Sequence, residues 1–145
     1  MTFRFETLLR LRKNEENLKQ RIMGEMQNHL HNRQNELQIL KSSGTKTRGE
    51  LQIRLQQSLP GKTLSLYDGY FRSLGVRSGL QEQSINETRE KVEAQRLELV
   101  IAMKKRRILE ILKDREMLEK KKRNLKNEIS AMDETASTRW QIRNP

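Results

Sequence analysis

Residues 81–139 contain neither proline nor glycine, and this stretch restricts the fold more than any other feature. At 1.5 Å per residue, a helix of about 55–60 residues would be roughly 80–90 Å long. Heptad-like spacing runs through its apolar residues. The positions predicted to form its apolar stripe are Ile85, Val92, Leu99, Met103, Leu109, Leu112, Leu118, Leu125, Ile129, Met132 and Ala136.

A similar pattern occupies the first part of the chain, from Phe5 to about Leu40. Its predicted stripe contains one stutter after Ile22, which would locally unwind a coiled coil. The stripe positions are Leu8, Leu11, Glu15, Leu18, Ile22, Met26, Leu30, Arg33, Leu37 and Leu40. Residues 41–50 hold two glycines, each costing a helix roughly 1 kcal/mol, so we expect a frayed or kinked segment there.

Composition supports a narrow apolar stripe rather than a wide core. Apolar residues are 33% of the chain, aromatics 4% and charged residues 34%, whereas globular domains are roughly 45–50% apolar. Residues 51–55 alternate with period two, but they are too short and isolated to predict a strand. With no cysteine in the sequence, disulfides and thiolate metal sites are excluded.

Pro60-Gly61 is the strongest turn signal. We therefore predict an all-α fold of one elongated domain, 1–145, in which two long helices of matched length form an antiparallel coiled-coil hairpin. The predicted bounds are helix 1 at about 4–58, a turn at about 59–65, helix 2 at about 66–139 and a flexible tail at 140–145. Membership of a larger bundle and a parallel homodimer are the open alternatives, and residues 64–80 fit a short helix or an irregular entry.

Catalytic and cofactor sites are poorly supported. Gly61-Lys62-Thr63 lacks the earlier glycine and the preceding strand of a phosphate-binding loop. His29 and His31 are two residues apart and point to different helix faces, so they predict no metal site. We expect no enzyme activity and no cofactor. No apolar run is long enough to span a membrane, and the N-terminus lacks a signal-peptide core, so a cytoplasmic protein is expected.

Charge is the most informative feature for function. The net charge is +11, and residues 103–126 contribute 11 basic and 4 acidic residues. The basic stretch has no aromatic residue, which disfavours nucleic acid; an acidic protein surface or a simply solvated face remain. A second candidate is the aromatic patch near the turn, which fits partner binding or the capping of the hydrophobic stripe. It consists of Tyr67, Tyr70, Phe71 and Leu74.

Several motifs together resemble the bacterial flagellar export protein family FliJ, along nearly the whole chain. The matching residues are Phe3 and Phe5 running into Leu8-Leu9-Arg10, Tyr67-x-x-Tyr70-x-x-x-Leu74, Asp114-Arg115, and Met132-Asp133-Glu134-x-Ala136. The resemblance implies a non-enzymatic stalk, similar to the rotor stalk of rotary ATPases, in the flagellar type III export apparatus. Virulence secretion stalks and basic nucleic-acid-associated proteins are the alternatives.

The resemblance also implies partners and sites. It implies binding to the hexamer of the export ATPase FliI, to the cytoplasmic domain of the export gate protein FlhA, and to export chaperones, at the cytoplasmic side of the inner membrane. For the gate it implies Tyr70, Leu74, Arg77 and Gln81, of which Arg77 and Gln81 depart from the small residue and histidine of the family. For the ATPase ring we expect the basic blocks Lys104, Lys105, Arg106, Arg107, Lys120, Lys121, Lys122 and Arg123.

Overall fold

The computed structural model describes residues 3–144. Outside the described residues lie Met1, Thr2 and Pro145. Pro145 belongs to the predicted tail. Helix α1 is Glu6–Gln56 and helix α2 is Gly61–Arg143. The two helices pack against each other, 94% of the described residues are helical, and this part of the chain contains no strand. The predicted all-α fold of two long helices is confirmed.

The helix bounds differ from the sequence prediction in three places. Helix α2 begins at Gly61 rather than near 66, because the Pro60 carbonyl accepts hydrogen bonds from Thr63 (3.1 Å) and Leu64 (3.2 Å) and so starts the helix. The predicted flexible tail is helical up to Arg143. The helices are also unequal in length, at 51 and 83 residues, where matched lengths were predicted.

Residues 41–50 are helical throughout, so the predicted fraying or kink is absent. Gly44 is buried there, and a Cβ added to it would lie 2.5 Å from the Cδ2 atom of Leu74. Glycine therefore lets Leu74 of α2 approach the α1 backbone closely. Packing at this point offsets the low helix propensity of glycine.

The described residues divide into two compact units, and one elongated domain over 1–145 stays a prediction. The first unit contains the described residues up to Asn17 and those from Ile101 onward, and the second is Leu18–Val100. Each unit pairs a stretch of α1 with a stretch of α2. In a helix pair, each side chain is buried only against the facing stretch of the other helix, so contacts join residues far apart in sequence, such as Lys19 and Glu98.

In the second unit the helices are antiparallel. Lys19 pairs with Glu98 at 2.7 Å, and further along α1 the Arg33 guanidinium donates to the Ser84 hydroxyl. Ile85 and Met23 are buried between the helices. Gln95 is also buried, and its Nε2 has no hydrogen-bond partner within the described chain.

The first unit is antiparallel as well. Leu9 is its most buried side chain, with 2% exposed, and Ala102 and Leu109 are buried with it. Glu16, also buried, pairs with Arg106. Because every described residue from Lys121 onward is exposed, α2 continues alone beyond its paired part.

Buried and half-buried residues follow a strict heptad spacing on both helices, which we call the inner stripe. On α1 it is Leu9, Arg12, Glu16, Lys19, Met23, Met26, Leu30, Arg33, Leu37, Leu40, Gly44, Thr47 and Leu51. On α2 it is Tyr67, Phe71, Leu74, Ser78, Gln81, Ile85, Thr88, Val92, Gln95, Leu99, Ala102, Arg106, Leu109, Lys113, Glu116 and Lys120.

This spacing corrects the predicted stripes. On α1 the prediction holds from Met26 onward, but before Met26 it is one residue out of phase, and no stutter is present. Leu11, for example, is 50% exposed. On α2, Ile85, Val92, Leu99 and Leu109 are correct. The other predicted α2 positions are exposed, and they are Met103, Leu112, Leu118, Leu125, Ile129, Met132 and Ala136.

Candidate functional site

The face expected to bind the export gate lies in the second unit, and three of its four residues contact α1. The Tyr70 hydroxyl lies 3.2 Å from the Ser43 hydroxyl. Hydrogen bonding to Ser43, and then to Thr47, lowers the pKa of Tyr70. Leu74 packs over Gly44. These residues therefore hold the helix pair together and leave only part of their surface for a partner.

Gln81 and Arg77 differ in their surroundings. The Gln81 amide donates to the Arg33 carbonyl (2.9 Å) and to Glu36 Oε2 (3.0 Å), so it links the two helices. Arg77 is exposed. Of the four predicted residues, Arg77 is the one whose side chain is most available to another molecule.

Arg77 and Gln81 line a groove of about 590 Å³ between the helices of the second unit. Its other lining residues are Arg33, Glu36, Ile39, Leu40, Leu80 and Ser84. Ile39 and Leu80 are 67% and 63% exposed. They lie off the inner stripe, so periodicity gave no signal for them. Exposed apolar side chains rimmed by charged groups are typical of partner sites.

The aromatic patch near the turn is held in part by arginines of α1. The Arg48 guanidinium lies 5.7 Å from the centre of the Phe71 ring, and that of Arg54 lies 5.9 Å from the Tyr67 ring. Phe71 also meets Tyr70 edge to face at 5.4 Å. Tyr67 and Phe71 lie on the inner stripe, so the patch caps the helix pair at this end.

The first basic block divides into one structural and three exposed residues. Lys104, Lys105 and Arg107 are exposed. Arg106 instead lies on the inner stripe, where its guanidinium binds Glu16 and, at 2.6 Å, Glu110. Hydrogen bonding to Glu110 and to Glu16 raises the pKa of Arg106, and the same bond from Arg106 lowers the pKa of Glu110.

The second basic block is mostly exposed. Lys121, Lys122 and Arg123 are exposed on the part of α2 that has no helical neighbour. Lys120 is half-buried and pairs with Glu116 of its own helix at 2.8 Å. Six of the eight basic residues predicted to bind the ATPase ring are therefore exposed.

Other classes of site find no support in the described residues. Within residues 3–144 no group of three or more His, Cys, Asp or Glu is arranged to hold a metal ion. No described helix combines the length and apolar character needed to cross a bilayer.

Comparison with known families gives one match. The sequence matches the FliJ family, described as the flagellar FliJ protein, over residues 1–145. The chain belongs to the FliJ family. Searches of curated proteins and of solved structures gave no match. FliJ membership agrees with the resemblance found in the motifs, and makes the chain a flagellar, export-related protein of the stalk type, from a non-enzymatic family.

Proposed function

We propose that this chain is the stalk of the flagellar type III export apparatus, without catalytic activity. The observation that carries the proposal is the FliJ match over the whole sequence, and two long antiparallel helices are consistent with it. The proposed location is the cytoplasmic side of the inner membrane, at the flagellar base. Escort of unloaded export chaperones is part of the proposed role.

We assign binding of the export ATPase FliI to the first unit. Its helix pair is about 20 Å wide, as two helices of 10–12 Å diameter are. The exposed cations of α2 would attract an acidic ring lining and speed association at low salt. Arg106 is left out of this surface because it is bound to Glu16 and Glu110.

The ATPase assignment is tested by Lys104→Glu combined with Lys105→Glu. Both side chains are exposed, so helicity by circular dichroism should be unchanged, while affinity for the nucleotide-bound ATPase should fall about tenfold. The matched control is Lys46→Glu with Lys62→Glu, two exposed lysines of the second unit. Equal affinity for wild type and both variants would refute the assignment.

We assign binding of the export gate protein FlhA to the groove beside Arg77. Leu80 lines the groove and is exposed, whereas Leu74 packs against α1. Leu80→Ser should therefore weaken gate binding without lowering the melting temperature. Leu66→Ser, at a leucine 75% exposed outside the groove, is the matched control. If Leu80→Ser binds the gate as wild type does, the groove is not the contact.

A further inference from the structure

Helix α2 carries a second apolar stripe on the face turned away from α1, which we call the outer stripe. Its apolar members fall on a three-and-four spacing, about half a turn away from the inner stripe. They are Ile101, Ile108, Ile111, Leu118, Leu125, Ile129, Met132 and Ala136, all in the first unit. Exposed fractions of the larger side chains run from 39% at Ile111 to 69% at Met132. The remaining positions of that spacing are occupied by Lys104, Arg115 and Lys122.

The outer stripe is more apolar than the inner stripe beside it. Between Arg106 and Lys120 the inner stripe of α2 includes Lys113 and Glu116, with Leu109 as its apolar member. The outer stripe also continues beyond Lys120, where α2 has no neighbouring helix. A heptad stripe made mostly of large apolar residues and left open to water is typical of a surface that another helix covers.

Charges beside the outer stripe alternate in sign along each flank, with the uncharged Leu112 standing between Lys105 and Glu119. On one flank they are Arg107, Asp114, Lys121 and Glu128, and on the other Lys105, Glu119, Lys126 and Asp133. The flanking signs are balanced, so a partner of uniform charge would meet like charges at half of the flanking positions, while Lys104, Arg115 and Lys122 add positive charge within the stripe. Flanking charges of this kind set the identity and the direction of a coiled-coil partner.

A parallel second copy is disfavoured by this pattern. In a parallel pair, a flanking residue faces the residue five positions later in the other chain. Asp114 would then face Glu119, Lys121 would face Lys126, and Glu128 would face Asp133. Each of these contacts is between like charges.

An antiparallel second copy fits the pattern in one register. With the centre of the contact between Arg123 and Asn124, Lys121 faces Glu128 of the second copy and Glu119 faces its Lys126. In the stripe itself, Leu118 then packs against Ile129 of the second copy, Lys122 lies opposite its Leu125, and Arg115 lies opposite its Met132. By symmetry each contact occurs twice.

We propose that a second copy of this chain packs antiparallel on the outer stripe, with residues 111–136 of the two copies in contact. This length corresponds to about 39 Å of helix. The proposal concerns the chain on its own and does not depend on the export ATPase or the gate. Lys104 and Lys105, which the ATPase test changes, lie outside residues 111–136, so the two proposals fail or succeed in separate experiments.

The apolar part of the proposal is tested by sedimentation of the full chain at physiological salt, from about 5 to 200 μM. We expect a species of twice the 17.3 kDa chain mass at the higher concentrations. Leu118→Ser with Ile129→Ser should abolish the dimer and keep the helix content, since both residues are exposed. Leu66→Ser is the control, and this variant should still form the dimer. A monomer at every concentration, or a dimer that survives the double variant, would overturn the proposal.

The direction and register are tested by charge reversal. Lys121→Glu and Glu128→Lys should each raise the dissociation constant about tenfold, because each creates two like-charge contacts in the antiparallel pair. The double variant K121E/E128K should restore wild-type affinity, because the contact is rebuilt with its signs exchanged. In a parallel pair both single variants would instead strengthen association. That result, or failure of the double variant to recover, would overturn the proposed geometry.

Discussion

The close approach of Leu74 to Gly44 allows a prediction with a built-in control. Alanine at Gly24 has open space, with nothing within 4 Å of the new Cβ, whereas alanine at Gly44 would place its Cβ 2.5 Å from Leu74 Cδ2. Both glycines lie inside α1. The two substitutions therefore share the same gain in helix propensity and differ in packing.

The expected free-energy changes follow from these two terms. Replacing a mid-helix glycine with alanine stabilises by about 0.5–1 kcal/mol, and we expect this full gain for Gly24→Ala. At Gly44 the Leu74 side chain has to move by roughly 0.9 Å to reach ordinary contact, and overpacking of this kind costs about 1–3 kcal/mol. Because only the end of a flexible side chain moves, the lower value applies, so Gly44→Ala should be neutral or slightly destabilising.

Thermal unfolding followed by circular dichroism measures both variants, and a double-mutant cycle isolates the contact. In a Leu74→Ala background the clash is removed, so Gly44→Ala should regain the stabilisation seen at Gly24. The coupling between positions 44 and 74 should be about 1 kcal/mol. Equal stabilisation by Gly24→Ala and Gly44→Ala in the wild-type background would refute the close approach, and with it the structural role given to Leu74.

Three further predictions concern the interior. Leu9→Ala should destabilise by about 2–3 kcal/mol and Leu11→Ala by less than 1 kcal/mol in denaturant titrations, because Leu9 is buried and Leu11 is half exposed; equal losses would contradict the observed phase of α1. Gln95→Leu should stabilise by about 1 kcal/mol, since it removes a buried amide without a partner in the described chain. The hydrogen bond from Arg106 lowers the pKa of Glu110 below 4.5. The ionised Glu110 carboxylate therefore stabilises the folded protein above about pH 4.5, and this contribution is lost as the pH falls below that value. The melting temperature should therefore drop more between about pH 5 and 3 in the wild type than in Glu110→Gln.

Periodicity was sufficient to predict two long helices, but it was insufficient to predict which face of α1 is buried near its start. Counting apolar residues favours Leu8, Leu11 and Leu18, and the structure instead turns Leu9, Glu16 and Met23 inward. In the observed phase Glu16 meets Arg106 across the helix pair, and Leu9 and Met23 are buried. A single helix read alone does not contain that information, because both partners must be placed before their charges can be matched.

The same limit explains what was predicted of the candidate sites. The basic blocks were found from composition, but the separation of Arg106 from its exposed neighbours depends on the position of Glu16 across the helix pair. Leu80 and Ile39 gave no signal, because an exposed apolar residue off the stripe has no periodic context. Tyr70 and Leu74 were predicted as a partner surface, and the structure shows that both also contact α1.

In the first unit, the distribution of apolar residues connects stability with binding. The paired face of α2 uses charged groups such as Arg106 and Lys113, while large apolar residues such as Ile108 and Leu118 are exposed on the opposite face. Salt bridges in such positions add little net stability, because desolvation offsets their attraction. The unit is therefore expected to gain much of its stability when another molecule covers the outer stripe. By mass action, each tenfold rise in the concentration of that molecule above its dissociation constant adds about 1.4 kcal/mol.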